Sequence, residues 1–351
     1  MLSNIQIAEL LAQQAEHETG NRSRAFRRAA RNAFLWPEEV TQLAAQNRSL
    51  TELSSVGPFI ERQIRSWLDN PHQSRKETPE LRRDFISLAE ARRLLATTPA
   101  WSQQLRGDLQ MHTRWSDGSG TIREMAEAAQ QRSYSYIAIT DHSKGLKIAG
   151  GIDESTLKKQ GLEIGRVNDL MSRSDQKLMV LRSLEMNLNP RGEGDMSPAS
   201  LLSLDLVLGS FHSSLRTVAD QTDRYLAALR NSHIQILGHP RGRIYNYRIG
   251  LKADWDRVCA EAAILDKALE IDCYPDRQDL NMELLAIARN EGTRISLGTD
   301  AHHPWQLEFI ELGLAAALQA KIPADRIVNF MPSLDLKTWV SRIRDRDTRK
   351  H

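Results

Sequence analysis

From residue 105 onward the chain alternates seven times between short apolar, β-branched runs and amphipathic stretches. The strand-like runs lie at 105–111, 136–140, 178–186, 205–211, 234–238, 268–273 and 294–299. Helical patterns fill the gaps at 122–131, 156–171, 217–230, 254–264 and 280–290, and one follows at 305–318. Strands separated by helices pair in parallel through right-handed crossovers, so this part is an α/β fold. An open doubly wound sheet and a barrel both satisfy the pattern. After Ile322 the chain reads as helical and ends in a charged, solvated run at 342–351.

Ahead of residue 105 the rhythm is helical. Ile5, Ile7, Leu10 and Leu11 mark one face of a first helix, and Phe26, Ala29, Ala30 and Ala33 mark a second. Arg24, Arg27, Arg28 and Arg31 surround that second face as a local basic strip. Pro37 is placed to start a further helix. From Leu50 to Ile64 the residues predict a short helix, a tight turn at Val56-Gly57 and a second helix beginning at Pro58. Glycine lets another backbone approach, and free N–H groups at a helix start can hold an anion. An ordinary helical corner would carry the same pattern. The polar stretch 70–76 is a break, a helix spans 79–95, and Thr97-Thr98-Pro99 closes this part. The expected domains are 1–70, a linker at 71–104, and 105–351.

A length of 351 residues, 40% hydrophobic and 26% charged, suits two soluble domains. A net charge of +2 makes any basic face local rather than global. Cys259 and Cys273 have no paired spacing, so they are expected as buried thiols in a reducing cytoplasm. The N-terminus lacks the pattern of a signal peptide, and no apolar run approaches the roughly 20 residues of a membrane span, so no membrane partner is expected.

The chemistry lies at the strand ends. His112 and Asp117 follow the first strand, Asp141-His142 ends the second, and Glu185 ends the third. His212 follows the fourth strand, His239 the fifth, and Asp300 and His302 close the seventh. In a parallel α/β fold these ends converge on one face, where such proteins place their sites. Imidazole and carboxylate together suit zinc, manganese or iron. One ion takes only about four to six donors, so two or three divalent ions are expected. Singly, each of these residues has an ordinary reading: a hydrogen-bonded imidazole, a helix cap, or a turn at Asp117-Gly118. Eight of them at six of seven successive strand ends do not.

The motifs at 108–118, Ile139-Thr140-Asp141-His142-Ser143, Gly238-His239-Pro240 and Thr299-Asp300-Ala301-His302 resemble those of the PHP (polymerase and histidinol phosphatase) superfamily. The likeness extends over roughly 107–317, while 5–68 resembles the N-terminal helix-hairpin-helix domain of family X DNA polymerases, whose bacterial members carry a PHP domain at their C-terminus. Only the stretch near 70–99 lies between the two, too short for a polymerase palm, so polymerisation is not expected. The resemblance implies a distorted seven-stranded (β/α) barrel with a trinuclear centre. His112, Glu185 and Asp300 would hold one ion, with Glu185 bridging to a second held by His212 and His239, and Asp117, His142 and His302 a third. Glu185, Asp300 and His112 would be catalytic. Where the family has His-x-His, this chain has Gln110-Met111-His112, and an amide oxygen is the weaker ligand. Asn187 stands where an acidic residue is common. The helix from Pro58 to Trp67 lacks the lysine that family X lyases use as a nucleophile, and arginine cannot replace it.

The expected reaction is phosphoester hydrolysis, with Arg241 and Arg243 gripping the substrate phosphate and Val56, Gly57 and Pro58 meeting DNA. The leading expectation is a 3′–5′ exonuclease or 3′-phosphatase acting on single-stranded DNA or DNA ends. A histidinol-phosphatase-like enzyme acting on a small phosphomonoester and a non-catalytic DNA-binding protein are the alternatives.

Overall fold

The computed structural model describes residues 2–70, 77–174 and 176–348. The expected break at 70–76, beyond Asn70, and the last three residues of the charged terminal run lie outside the described residues. The chain forms two compact units, Met1–Pro99 with Ile244–Ile249, and Ala100–Arg243 with Gly250–His351.

The first unit is helical. Ser3 caps the helix Asn4–His17 by accepting from the Gln6 amide, while the Gln6 side chain accepts from the Ser3 amide. Ile7, Leu11, Phe26, Ala29, Ala30 and Ala33 share one apolar core, with Ile5 at its edge. Pro37 does not start a helix. Asn4 Oδ1 accepts from the Val40 amide at 2.9 Å, and Glu39 accepts from the Asn4 amide at 2.7 Å, which sets the helix Val40–Ala45 three residues later. The expected short helix before the hairpin is a single 3-10 turn, Leu50–Glu52. Ser55 supplies the left-handed residue at φ 63°, and Gly57, extended at φ −89°, precedes the helix Pro58–Asp69. Glu61 locks the turn by accepting from the Leu50 amide at 3.0 Å and the Ser49 hydroxyl at 3.2 Å. The expected helix over 79–95 is a 3-10 turn, Glu80–Arg82, followed by the helix Leu88–Ala96. The turn serves Arg82, which is buried and donates to Glu9, Glu16 and Asn246 at 2.7–3.0 Å.

Among the described residues the second unit has eight parallel strands: β1 Gly107–Asp108, β2 Tyr136–Ile139, β3 Met179–Arg182, β4 Glu185–Asn187, β5 Leu208–Ser210, β6 Ile236–Leu237, β7 Ala268–Asp272 and β8 Arg294–Gly298. They pair in order as β1-β2-β3 and as β4-β5-β6-β7-β8. The third expected strand is thus two. Asp205 takes both the N–H of Arg182, through its carboxylate at 2.8 Å, and the carbonyl of Arg182, through its amide at 2.7 Å. The chain then crosses at Ser183-Leu184 and re-enters beside β5, with Glu185 aligned on Leu208. Parallel bridges Met111↔Ala301 and His142↔Glu185 link the two sheets, the first flanked by Gln110, His112, Asp300 and His302 and the second formed by two expected site residues. Apolar strand residues pack against helices such as Ile122–Gln131, whose start is fixed by a Thr121–Glu124 capping box. The terminal helix Ser333–Thr348 buries Leu336, Trp339, Val340 and Ile343 against Leu206, Leu208 and Ile236. No described helix is long and apolar enough to cross a membrane.

Candidate metal centre

Glu185 is fully buried at the first position of β4, and each of its oxygens faces two imidazoles. Oε1 lies 2.7 Å from His239 Nε2 and 3.2 Å from His212 Nε2. Oε2 lies 2.9 Å from His142 Nδ1 and 3.5 Å from His112 Nε2. His112 Nε2 is also 3.0 Å from Asp300 Oδ1. Asp117 meets His302 at 3.4 Å, His142 at 3.6 Å and His112 at 3.9 Å. The His112 ring stacks between those of His142 and His302, with centroids 4.3 and 4.5 Å away. All eight strand-end residues therefore meet.

The backbone aims them. His239 and Asp300 sit at positive φ, 26° and 52°, so each strand end turns sharply inward. The His302 Nδ1–H donates to the Asp300 carbonyl at 2.7 Å and the His212 Nδ1–H donates to Asn187 Oδ1 at 3.1 Å. Both rings thus turn Nε2 inward, the orientation a metal ligand needs.

Burial raises the Asp117 and Asp300 carboxyls, but the first is overcome by His142 and His302 and the second by His112 and Arg277, leaving both far below the usual range. Burial opposes charge on His142, yet Glu185 and Asp117 raise it to about 11. His239 and His302 are likewise raised to about 9 against their own burial, by Glu185 and by Asp117 with Asp300 respectively. Burial instead keeps the His212 imidazole below its ordinary value. A field that draws protons onto His142, His239 and His302 is one that attracts divalent cations. The alignment agrees. His142 Nδ1 and Glu185 Oε2 are 2.9 Å apart, but both remain without a hydrogen bond, as groups turned toward a shared third point would be. Ligand atoms of His112, Asp117, His142 and His302 lie within 4.8 Å of one another, as do those of His142, Glu185 and His212. These donors fit divalent ions.

Gln110 is buried beside this set, and its terminal amide lies against both Glu270 oxygens; with the amide nitrogen on that side it donates to them at 2.7 and 2.9 Å. Arg243 is buried, with Nε donating to the Arg277 carbonyl at 2.7 Å, and Arg241 is half-buried one turn of loop earlier. Val56, Gly57 and Pro58 belong to the first unit, where they line an open groove of about 940 Å³ together with Arg24 and Arg28.

Strand-end counting missed β7, which carries no expected ligand. It supplies Glu270 and Asp272, both fully buried, and the loop after it supplies Arg277. Burial pushes both carboxyls up, with Asp272 adding to the rise of Glu270 and Asp300 to that of Asp272. The signal was the alternation Leu269-Glu270-Ile271-Asp272, two acids on one face of a strand expected to be apolar. Asp108 and Asp141 were also missed as supports, although both stand within the quoted motifs.

Residues 108–274 match the PHP domain family. The chain is 35% identical over 240 residues to the DNA polymerase/3′-5′ exonuclease PolX of Bacillus subtilis (strain 168), covering 68% of this chain and 41% of that protein. The chain thus spans about two fifths of the length of that relative. It is 27% identical over 217 residues to a probable phosphatase of Caldicellulosiruptor bescii, covering 59% of this chain and 84% of the relative. The crystal structure of histidinol phosphate phosphatase from Lactococcus lactis, complexed with zinc, L-histidinol and phosphate, has 19% identity and a TM-score of 0.45, over 61% of this chain and 93% of that one.

Proposed function

We propose that this chain is a metal-dependent phosphoesterase that hydrolyses phosphoester bonds at DNA ends, as a 3′–5′ exonuclease or 3′-phosphatase. The carrying observation is Glu185, whose two oxygens each address two imidazoles, the arrangement of a carboxylate that bridges ions. Two or three divalent ions, zinc, manganese or iron, would be held by His112, Glu185 and Asp300, by Glu185, His212 and His239, and by Asp117, His142 and His302, with Gln110 at most a weak addition. When bound, such ions acidify a water to near neutrality and neutralise the phosphoryl oxygens. The chain's own part is orientation: Asn187 and the Asp300 carbonyl hold two Nε2 atoms inward, and burial excludes bulk water from Glu185. Arg241 and Arg243 stand on the loop after His239, where a phosphate could be gripped.

The DNA reading rests on the first unit. We take its turn as a helix-hairpin-helix, and the two sheets of the second unit as one distorted barrel. A Cβ at Gly57 would meet nothing within 4 Å, so the space before the helix start is open to an approaching phosphate. Arg24 and Arg28 flank it. The second reading, a phosphatase acting on a small phosphomonoester, is favoured by the alignment with the Caldicellulosiruptor protein across 84% of that protein's length.

Metal analysis of the purified chain, combined with labelled single-stranded DNA and manganese, tests the proposal. Wild type is expected to hold ions and release nucleotides or 3′-phosphate, and His212→Ala to lose at least one ion and about a hundredfold or more in rate. Identical behaviour of the two proteins would discard the centre. Turnover of a small phosphomonoester without action on DNA would select the second reading.

A further inference from the structure

The imidazoles that share Glu185 Oε1, those of His212 and His239, follow different strands, β5 and β6. The first turn of the helix Thr222–Arg230 reaches the chain neighbours of both. Arg224 holds those of His212. Its guanidinium carbon lies 4.0 Å from the centre of the Phe211 ring, and its Nη2 donates to the Ser213 carbonyl at 2.8 Å. Tyr225 holds the neighbour of His239. Its hydroxyl donates to the Pro240 carbonyl at 2.6 Å, and its ring stands edge-on to Phe211 with centroids 5.9 Å apart. The turn is itself anchored: Asp220 accepts from the Thr222 amide at 3.0 Å, and the Thr222 hydroxyl accepts from the Asp254 amide at 2.8 Å.

Arg224 is only 5% exposed, and among the described residues it forms no ion pair, while its Nε and Nη1 have no hydrogen-bond partner. A cation taken out of water without a counter-charge opposes folding, and an unbranched apolar side chain of similar length would cover Phe211 without that penalty. Such a side chain would lack the planar cation over the ring and the donor to Ser213. Those are the contacts that bear on His212 from either side. Asn187 sets the rotation of the His212 ring at 3.1 Å, and Arg224 fixes the backbone that carries it.

We propose that Arg224 is a positioning residue for His212, kept although it lowers stability, and that with Tyr225 it sets the spacing of His212 and His239 for the ion they would share with Glu185. This rests on the metal-dependent reading of the centre. The competing role for Arg224 is ordinary packing against Phe211.

The test compares full-length wild type, Arg224→Met and Arg224→Lys by urea unfolding without metal, by zinc retention under chelator competition, and by imidazole 15N spectra of the metal-free chains. The His212 signals are identified by their loss in His212→Ala. Arg224→Met is expected to unfold at the same urea concentration as wild type or higher, yet to release one zinc ion at least about tenfold more readily while keeping the rest. Its metal-free His212 should lose the single tautomer, protonated at Nδ1, that wild type shows, and give averaged signals. Arg224→Lys, which can donate to Ser213 but cannot lie flat on the ring, should fall between the two. A methionine variant that unfolds more easily than wild type would overturn the proposal, because the arginine would then serve the fold. An unchanged His212 spectrum would overturn it too. If wild type holds no zinc, the metal reading falls, and the unfolding and 15N measurements still decide for or against Arg224.

Discussion

Asp141 adjoins His142 in the chain, yet it accepts four hydrogen bonds: from the Thr113 amide and hydroxyl, the Ser116 hydroxyl and the Gln160 amide, at 2.5–2.8 Å. Asp108 does the same across the site, accepting from the Gln110 amide and from the amide and hydroxyl of Thr299, next to Asp300. These two carboxylates spend their lone pairs on the backbone that carries the ligands. Burial raises the Asp108 carboxyl to about 6, although its donors pull it down. A folded-state value above the unfolded one favours the protonated folded chain. The stabilisation is therefore complete below about pH 4 and lost as pH rises through about 6, a change of about 3 kcal/mol. Urea unfolding of the metal-free chain at pH 4.5 and pH 7 should show this loss in wild type and not in Asp108→Asn. The same pH dependence in both proteins would reject it. At this scale the eight strand-end residues were legible because each follows an apolar run and has no apolar partner to seek. Asp108, Asp141 and Asn187 were not, because an acid or amide that braces a loop leaves the same mark in sequence as one that binds an ion. Nor could a sequence show that Gln110 turns toward Glu270, a residue 160 positions away.

The loop between β1 and the helix Ile122–Gln131 is wound so tightly that one of its residues must be glycine. The amides of Ser116 and Gly118 both donate to the Thr113 carbonyl, at 3.1 and 3.0 Å. A Cβ at Gly118 would lie 2.5 Å from the His112 carbonyl. Gly118→Ala should therefore displace Asp117 and weaken the hold of Asp117, His142 and His302 on an ion by tenfold or more, while helix content stays unchanged. Chelator competition followed by circular dichroism would check this; unchanged ion affinity would contradict it. Strand and helix order was legible from periodicity, which is set by which face is buried. The break between β3 and β4 was not, because 178–186 reads as one apolar run whether or not it changes sheets. That change depends on Asp205 claiming Arg182, a tertiary pairing. Pro37 misled for a related reason. A proline suits a helix start, but the position of the start was settled by Asn4 from another helix.

At the scale of the whole chain, the first unit includes six residues from the far side of the sequence, Ile244–Ile249. Tyr245 packs edge-on against Phe34 and Phe85, with centroids 4.7 and 5.3 Å away. The excursion starts after Arg243 and ends where the Leu251 amide donates to the Arg241 carbonyl at 2.9 Å. No single boundary drawn along the sequence could have captured this, since the segment's composition is that of an ordinary loop. Tyr245→Ala should destabilise the first unit by about 3 kcal/mol or more, seen as faster hydrogen exchange in the helices Asn4–His17 and Gly20–Asn32. Tyr245→Phe should not, because the buried hydroxyl has no hydrogen-bond partner among the described residues. Uniform protection in the alanine variant would refute the assignment of this tyrosine to the core. Ribosomes deliver a chain from its amino end, so Phe34 and Phe85 emerge long before Tyr245. The nascent N-terminal bundle must wait with an aromatic socket open while β1 to β6 are still being made, and for that interval its exposed rings are a target for chaperones and for misassociation.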